Sequence, residues 1–462
     1  MRWLRTARHV WTLGLFGLVA GGLAGLATVS LATSATAQSP ASLGAVFEVT
    51  HSPPLLTMPG ESPTLAYESQ CLAAGVADPE QGCRVVGTLY ARAAGDRVFR
   101  ELTLEPDDAA ATRRLVAEVP ASLRAARAFE YYAEFSSPDV EARVTVPPGG
   151  ASAPSVSRVL TNAVEVDLGT HAFGADQRRG ERAVFAPWGD GPGEVGLETS
   201  RSLDPVGASA FDVDASGSIA LLDQVHRRLL RWTQGGRVPS RTPLSVNGSI
   251  ADIALSGDGS LYVLETTSRD GRAPLVRRFD DSGRELEAVE SAERGPAQIR
   301  IGPDGPIVLQ RPSHQWMPAT VAGVPAAPGT QRQSGRVGRL LRSGAEVVVL
   351  RRANELRVAV VAGGAIARSW RISSTSNLGE VQLAEPMGAR FVVVLRVYDD
   401  RSDEFAVLLL DRRGLVSRTT LDSADWAESA PLGRFRLVGR SLYRLGSSPA
   451  GAFVDRFDLE VR

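Results

Sequence analysis

The chain of 462 residues contains no lysine: its 51 basic side chains are all arginine, set against 52 acids for a formal net charge of −1. Without lysine there is no Schiff-base amine, no lysine-bearing phosphate loop and no lysine general base. Near-neutral charge also removes any general argument for nucleic-acid binding, which needs a basic face. Cysteine is almost missing too. Cys71 and Cys83 are the only two, without a Cys-x-x-Cys spacing or a neighbouring histidine, which makes a poor zinc site. The chain has no Gly-x-Ser-x-Gly elbow, His-x-x-x-His or His-Glu-x-x-His, so neither a hydrolase nucleophile turn nor a helical metalloprotease site is encoded locally. What is present belongs to a folded protein, with 43% hydrophobic and 22% charged residues. Its 46 glycines and 28 prolines point to many tight turns. The length allows two or three domains.

Residues 1–37 read as an export signal. Arg2, Arg5 and Arg8 precede an apolar stretch from Val10 to Ala32, and Ala35-Thr36-Ala37 supplies small residues for cleavage before Gln38. The rival reading is an uncleaved anchor, since the apolar stretch is long enough to span a bilayer; any membrane contact would come through that segment alone. In an exported chain, Cys71 and Cys83 are expected to form a local disulfide.

The fold class expected is all-β, with an N-terminal β-sandwich followed by a six-bladed β-propeller. From 44 to 146 the pattern alternates: Phe129, Tyr131, Ala133 and Phe135 face one way, with Glu130, Tyr132 and Glu134 between them. The Ala-rich stretch 107–127 has room for a helical turn. The order Gly87-Thr88-Leu89-Tyr90-Ala91-Arg92, Val119-Pro120 and Phe129-Glu130-Tyr131-Tyr132-Ala133-Glu134 resembles bacterial immunoglobulin-like or fibronectin-type modules. Pro147-Pro148-Gly149-Gly150 opens a stretch, 147–157, whose composition predicts an extended linker.

Beyond it, over 158–462, one motif recurs: a short alternating strand, a turn ending in glycine, then a strongly apolar strand. The turn glycines are Gly217, Gly259, Gly305, Gly344, Gly388 and Gly439, spaced by 42, 46, 39, 44 and 51 residues. A period near forty without helical segments predicts a propeller. The last copy ends one strand short, and the strand-like stretch Ala163 to Leu168 is expected to join the last blade as its outer strand. Trp188-Gly189-Asp190-Gly191-Pro192-Gly193-Glu194, Phe211-Asp212-Val213-Asp214, Gly217, Leu222-Asp223 and Arg228-Leu229 together resemble an NHL-type repeat. That resemblance implies a binding platform, although some related six-bladed rings are lyases or metal-dependent lactonases.

Three constellations are candidates for chemistry. Asp212, Asp214, Ser216 and Asp223 have the spacing of a calcium loop around Gly217, but the flanking helices are missing and Gly217 falls on the blade period. His226 and His314 are isolated in sequence, and a ring of blades can bring distant loops together at its axis. Trp316 lies in a long segment that interrupts the third copy and is a candidate contact residue. Arginine pairs, Arg351-Arg352 among them, would favour an anionic ligand such as a polysaccharide if they lined one mouth of the ring. The expectation is an exported, non-catalytic protein of the cell envelope, secreted or extracytoplasmic. It would recognise a protein or glycan and need no cofactor, with calcium as the single metal option. The alternatives are a metal-dependent propeller enzyme, a lyase or lactonase-like hydrolase, and an assembly role for the sandwich.

Overall fold

Alternation becomes structure in the strand Ala128–Ser137, where Phe129, Tyr131, Ala133 and Phe135 are each at most 2% exposed. The computed structural model describes residues 46–72, 83–107, 113–200, 204–267, 274–290, 296–310, 315–321, 324–325, 338–427 and 433–459. The expected export segment and His314 lie outside these. Among the described residues, no helix is long and apolar enough to cross a membrane.

Two sheets form the N-terminal β-sandwich. One runs Val46–His51, Thr64–Leu72, Arg114–Glu118 and Glu105–Pro106; the other runs Leu56–Thr57, Ser155–Val159, Ala128–Ser137, Val86–Ala93 and Arg100–Thr103. Their inner faces share one apolar core that includes Leu65, Tyr67, Leu89, Tyr131 and Phe135. A single helical turn, Ala121–Arg124, buries Leu123 into it. Cys71 and Cys83 are bonded, with 5.3 Å between their Cα atoms.

The stretch 147–157 is not the open spacer its composition predicted. Gly150–Ser152 make a 3-10 turn, and Ser155–Val159 is a strand lying between Ala128–Ser137 and Leu56–Thr57. The prolines stop at Pro154. After it alternation resumes, with Ser155, Ser157 and Val159 buried and the Ser157 hydroxyl donating to the Pro54 carbonyl. The sandwich therefore extends to Val159 and belongs to the same compact unit as the propeller.

Six blade sheets follow in chain order, with a separate two-stranded ladder, Thr320–Val321 and Val324–Pro325, between blades three and four in the chain. Blade one is Phe211–Val213, Ile219–Asp223, Arg228–Trp232 and Ser240–Pro243. Blade two is Ser249–Leu255, Leu261–Thr267, Leu275–Phe279 and Glu285–Glu290, and blade three is Pro296–Gly302, Gly305–Gln310 and Gln315–Pro318. Blade four begins with the two-residue strand Arg339–Leu340 and continues through Glu346–Arg352, Glu355–Ala362 and Ala365–Ser373. Blade five is Asn377–Met387, Arg390–Tyr398, Asp403–Asp411 and Gly414–Asp422; blade six is Phe435–Val438, Ser441–Ser448 and Gly451–Asp458. Each blade touches the next, and the first strand of blade six meets that of blade one, so the ring closes.

All six periodic glycines adopt positive φ, between +60° and +123°. The repeat thus records a backbone requirement, a left-handed turn that a Cβ disfavours. At Gly259 an added Cβ would meet open space, so only the backbone term remains. Gly259→Ala is expected to cost about 1–2 kcal/mol in denaturant unfolding, and a value near zero would mean the turn relaxes.

Closure uses a different strand from the one the sequence suggested. Val164–Asp167 pairs in parallel with Ala365–Ser373 on the outer edge of blade four, whereas Glu181–Pro187 pairs with Gly451–Asp458 and completes blade six. The chain leaves the sandwich beside blade four, so that edge is the first it meets. In between, Gln177 bridges to Thr420 on the edge of blade five. Residues 164–187 thus form a belt across three outer edges, covering strands that would otherwise invite intermolecular pairing. Under the belt, His171 lies 2.8 Å from Glu404, which also accepts from the Gly174 N–H and the Gln177 amide.

Candidate functional site

Each of the six first strands contributes a charged residue that meets another near the centre of the ring. On blades one, two, three and six it lies between two apolar neighbours: Phe211-Asp212-Val213, Ala251-Asp252-Ile253, Ile299-Arg300-Ile301 and Phe435-Arg436-Leu437. Arg436 donates through Nε to Asp212 at 3.0 Å and through Nη2 to Asp252 at 2.8 Å. Arg300 donates to the other oxygen of Asp252 at 2.6 Å. On the opposite side, Arg339 lies 3.3 Å from Glu385 and donates to the Ala384 carbonyl. Burial pushes the Asp212 carboxyl above its ordinary range, against the pull of Arg436 and the Leu255 N–H. Burial works against the Arg436 charge, but Asp252 and Asp212 outweigh it and raise its pKa. These acids are neutralised within the ring.

Between blades, five of the six seams carry a buried apolar cluster among the described residues. The seam between blades three and four instead borders a cavity of about 680 Å³. Blade four opens it because its first strand is short: only Val347 and Glu346 of the next strand find partners on Arg339–Leu340. Arg300, Arg339, Arg351 and Arg352 line the cavity, with Glu380, Glu385, Gln298 and Gln382. Trp316 and Leu309, paired across neighbouring strands, form part of its apolar wall. Val347, Val349 and Leu350 of blade four and Val381, Leu383 and Ala384 of blade five also line it, as do Ser52 to Leu55 and Thr64 of the sandwich.

The sandwich is fixed over this region. Leu55, Leu56 and Leu160 pack with Val348, Ala359 and Val361 of blade four. Arg357 of blade four, 2% exposed in its side chain, donates to both oxygens of Glu61 and to the Leu56 carbonyl. Burial would raise the Glu61 carboxyl, but the hydrogen bonds from Arg357 and the Met58 N–H carry it below its usual value.

The residues singled out from the sequence fall in different places. Trp316 is on a strand of blade three rather than a long loop, and it lines the cavity. His226 is at the turn between the second and third strands of blade one, bridging Asp223 at 2.8 Å and Asp190 at 2.7 Å. The Asp223 bond above all raises its pKa.

The four residues with calcium-loop spacing do not converge. Asp212 faces Arg436, Asp214 caps its own turn by accepting from Ser216 and Ser218 and pairs with Arg231, and Asp223 is at the far end of the next strand, bound to His226 and Arg228. The spacing belongs to a β-hairpin, whose second strand carries Asp223 about 13 Å from Ile219. Among the described residues, no three His, Cys, Asp or Glu side chains come together to hold a metal ion.

Asp252, Arg300, Arg339, Glu385, Arg436 and Gln382 were not anticipated. A charge between apolar neighbours in a first strand was the available signal for Asp252, Arg300 and Arg436; Gln382 had none.

No family model matches the chain, and no curated protein matches it. Similar solved structures include virginiamycin B lyase from Staphylococcus aureus, 11% identical over 56% of this chain and 97% of that one, with a TM-score of 0.33. A protein of unknown function from Bacteroides caccae is 15% identical over 55% and 91%, with a TM-score of 0.30. Hydrazine synthase from Kuenenia stuttgartiensis is 14% identical over 60% and 80%, with a TM-score of 0.31. The propeller assignment rests on the sheet order described above.

Proposed function

We propose that this chain is an exported protein of the cell envelope whose NHL-type propeller and immunoglobulin-like sandwich together hold a ligand, a glycan or a protein, without transforming it. The observation that carries the reading is the cavity at the seam of blades three and four. It falls within the range of about 300–1,000 Å³ common for ligand sites, and its wall mixes apolar surface with a small set of polar groups, as such sites do. Elements from two domains and three blades fix it in place, which is the preorganisation that binding favours. Export is supported by the leader pattern at 1–37. The sandwich supplies part of the wall, which gives it a role in binding and accounts for its close docking.

A metal-dependent lyase or lactonase-like reaction would need acids or histidines converging on one point. The acids nearest the centre are paired with arginine. No observation favours this alternative.

The test is titration calorimetry of the purified chain against defined oligosaccharides and peptides, with mass spectrometry of the recovered ligand and metal analysis of the protein. Saturable binding of at least one ligand, recovered unchanged, is expected. Trp316→Ala should weaken that binding by roughly tenfold or more, because an aromatic wall residue is lost. Turnover that depends on a stoichiometric divalent ion would overturn the reading.

A further inference from the structure

The strand Glu346–Arg352 of blade four is paired along the whole of one edge and only part of the other. It matches Glu355–Ala362 residue for residue, whereas on its other side Arg339–Leu340 meets only Val347 and Glu346. The chain bends at Gly338, where an added Cβ would come within 2.9 Å of the Val348 side chain, and the first strand begins only after it. Alternation in an antiparallel ladder fixes where the remaining backbone groups point. The Leu341 N–H donates to the Ala345 carbonyl at 2.8 Å. Val347 therefore exchanges bonds with Arg339, and Val349 and Arg351 turn their N–H and C=O groups the same way. Among the described residues those four groups have no hydrogen-bond partner. Val349 and Arg351 both line the cavity.

This edge asks for a particular complement. Its donors and acceptors stand in pairs about 6.8 Å apart, the two-residue repeat of a strand. The main chain of an extended peptide offers both kinds of group at that spacing. A saccharide hydroxyl can bond one such group, whereas an added strand satisfies all four at once. Charge does not select the ligand, because Arg300 is paired with Asp252, Arg339 with Glu385 and Arg352 with Glu61. The neighbouring side chains set a preference instead. Leu350 packs against the cluster of Leu55 and Leu56 from the sandwich, and Val349 against that of Leu378 and Phe391 from blade five. A residue laid opposite Leu350 would thus share an apolar face with it.

We propose that the cavity receives an extended peptide segment, which adds antiparallel to Glu346–Arg352 and continues the line of Arg339–Leu340. One peptide residue would exchange two bonds with Arg351, and the residue two further on would exchange two with Val349. The side chain between them would lie on the side of Leu350. A segment of five residues, about 17 Å long, covers this edge. Main-chain bonds then supply affinity, and alternate side chains supply selectivity. This inference rests on the binding reading above and narrows its ligand to an extended stretch of a protein.

The experiment is calorimetry of the full chain with a positional-scanning library of pentapeptides blocked at both ends. The strongest binder is then made in two further forms, N-methylated at residues two and four or at residue three. Pools with an apolar third residue should bind. Methylation at two and four removes both donors and should weaken binding roughly tenfold or more, while methylation at three, whose N–H points away, should cost much less. On the protein side, Arg351→Pro removes an N–H that faces the open edge and leaves the ladder bonds in place. It should bind roughly 3- to 10-fold more weakly than Arg351→Ala, which loses the guanidinium alone. The methylated peptides are read on the parent chain, so the result does not depend on how Arg351→Pro folds. Failure of every pool to bind overturns the inference, as does any methylation result other than the greater loss at residues two and four. An Arg351→Pro chain that keeps its melting midpoint yet binds as Arg351→Ala does also overturns it. If oligosaccharides bind with Trp316 dependence and no peptide does, the broader reading stands and this one falls.

Discussion

Exchange of Arg436 for methionine is expected to lower the stability of the protein by about 3–5 kcal/mol, the range for removing one partner of a buried ion pair. The guanidinium is 6% exposed and is shared by Asp212 and Asp252, on two different blades. Methionine fills much of the volume but leaves Asp212 with backbone N–H groups of Leu255 and Val213 and the charge of Arg300, and no paired guanidinium. Adding Asp212→Asn should recover part of the loss, since a neutral amide tolerates the same surroundings. The pH dependence has a definite sign. Asp212 already titrates above its ordinary value, and a carboxyl raised on folding contributes stability below its unfolded pKa and loses it as pH rises through the folded one. Removing Arg436 raises that folded value further. The deficit of the variant should therefore be smaller near pH ~4 than at neutrality. Denaturant midpoints measured across pH check both statements, and a variant within about 1 kcal/mol of the parent would show that the central charges are solvated and not paired.

Replacing Arg357 with methionine is expected to cost about 3 kcal/mol and to split one unfolding transition into two. This side chain reaches from blade four into the sandwich, where Glu61 and the Leu56 carbonyl receive it. Without it the apolar contact around Leu56, Leu160 and Val348 remains, so the sandwich should detach before the propeller melts. Glu61 is held below its usual pKa, and a lowered carboxyl contributes stability above its unfolded value that is lost as pH falls through the folded value. The parent should weaken in acid along this limb, and the variant should show a flatter profile. Calorimetry at neutral and acid pH distinguishes the outcomes; a single cooperative transition in the variant would mean that the apolar contact alone couples the two parts.

Local demands were legible in the sequence and pairings across the ring were not. The six glycines could be read because a left-handed turn is a property of a few adjacent residues. The sandwich strands could be read because alternation reports which face is buried. Alternation does not name a partner, however. Ala163 to Leu168 was correctly a strand, yet its edge is blade four, and closure went to Glu181–Pro187, whose own alternation has the same form. Asp212 drew attention through its spacing to Asp214, but its real counterpart is Arg436, 224 residues away. The cavity is less legible still. It joins residues near 52, 300, 350 and 382 that share no local pattern, and Gln382 owes its position to a bulge that only the register reveals.

The belt has a consequence for the order of assembly. Arg182 and Asp455, which meet on the rim of blade six, are 273 residues apart. A chain emerging from its amino end makes the clasp long before the blade it must grip. Until Gly451–Asp458 arrives, Glu181–Pro187 is an unmatched ribbon and the toroid stays open, so the ring locks only once that strand of blade six has been made.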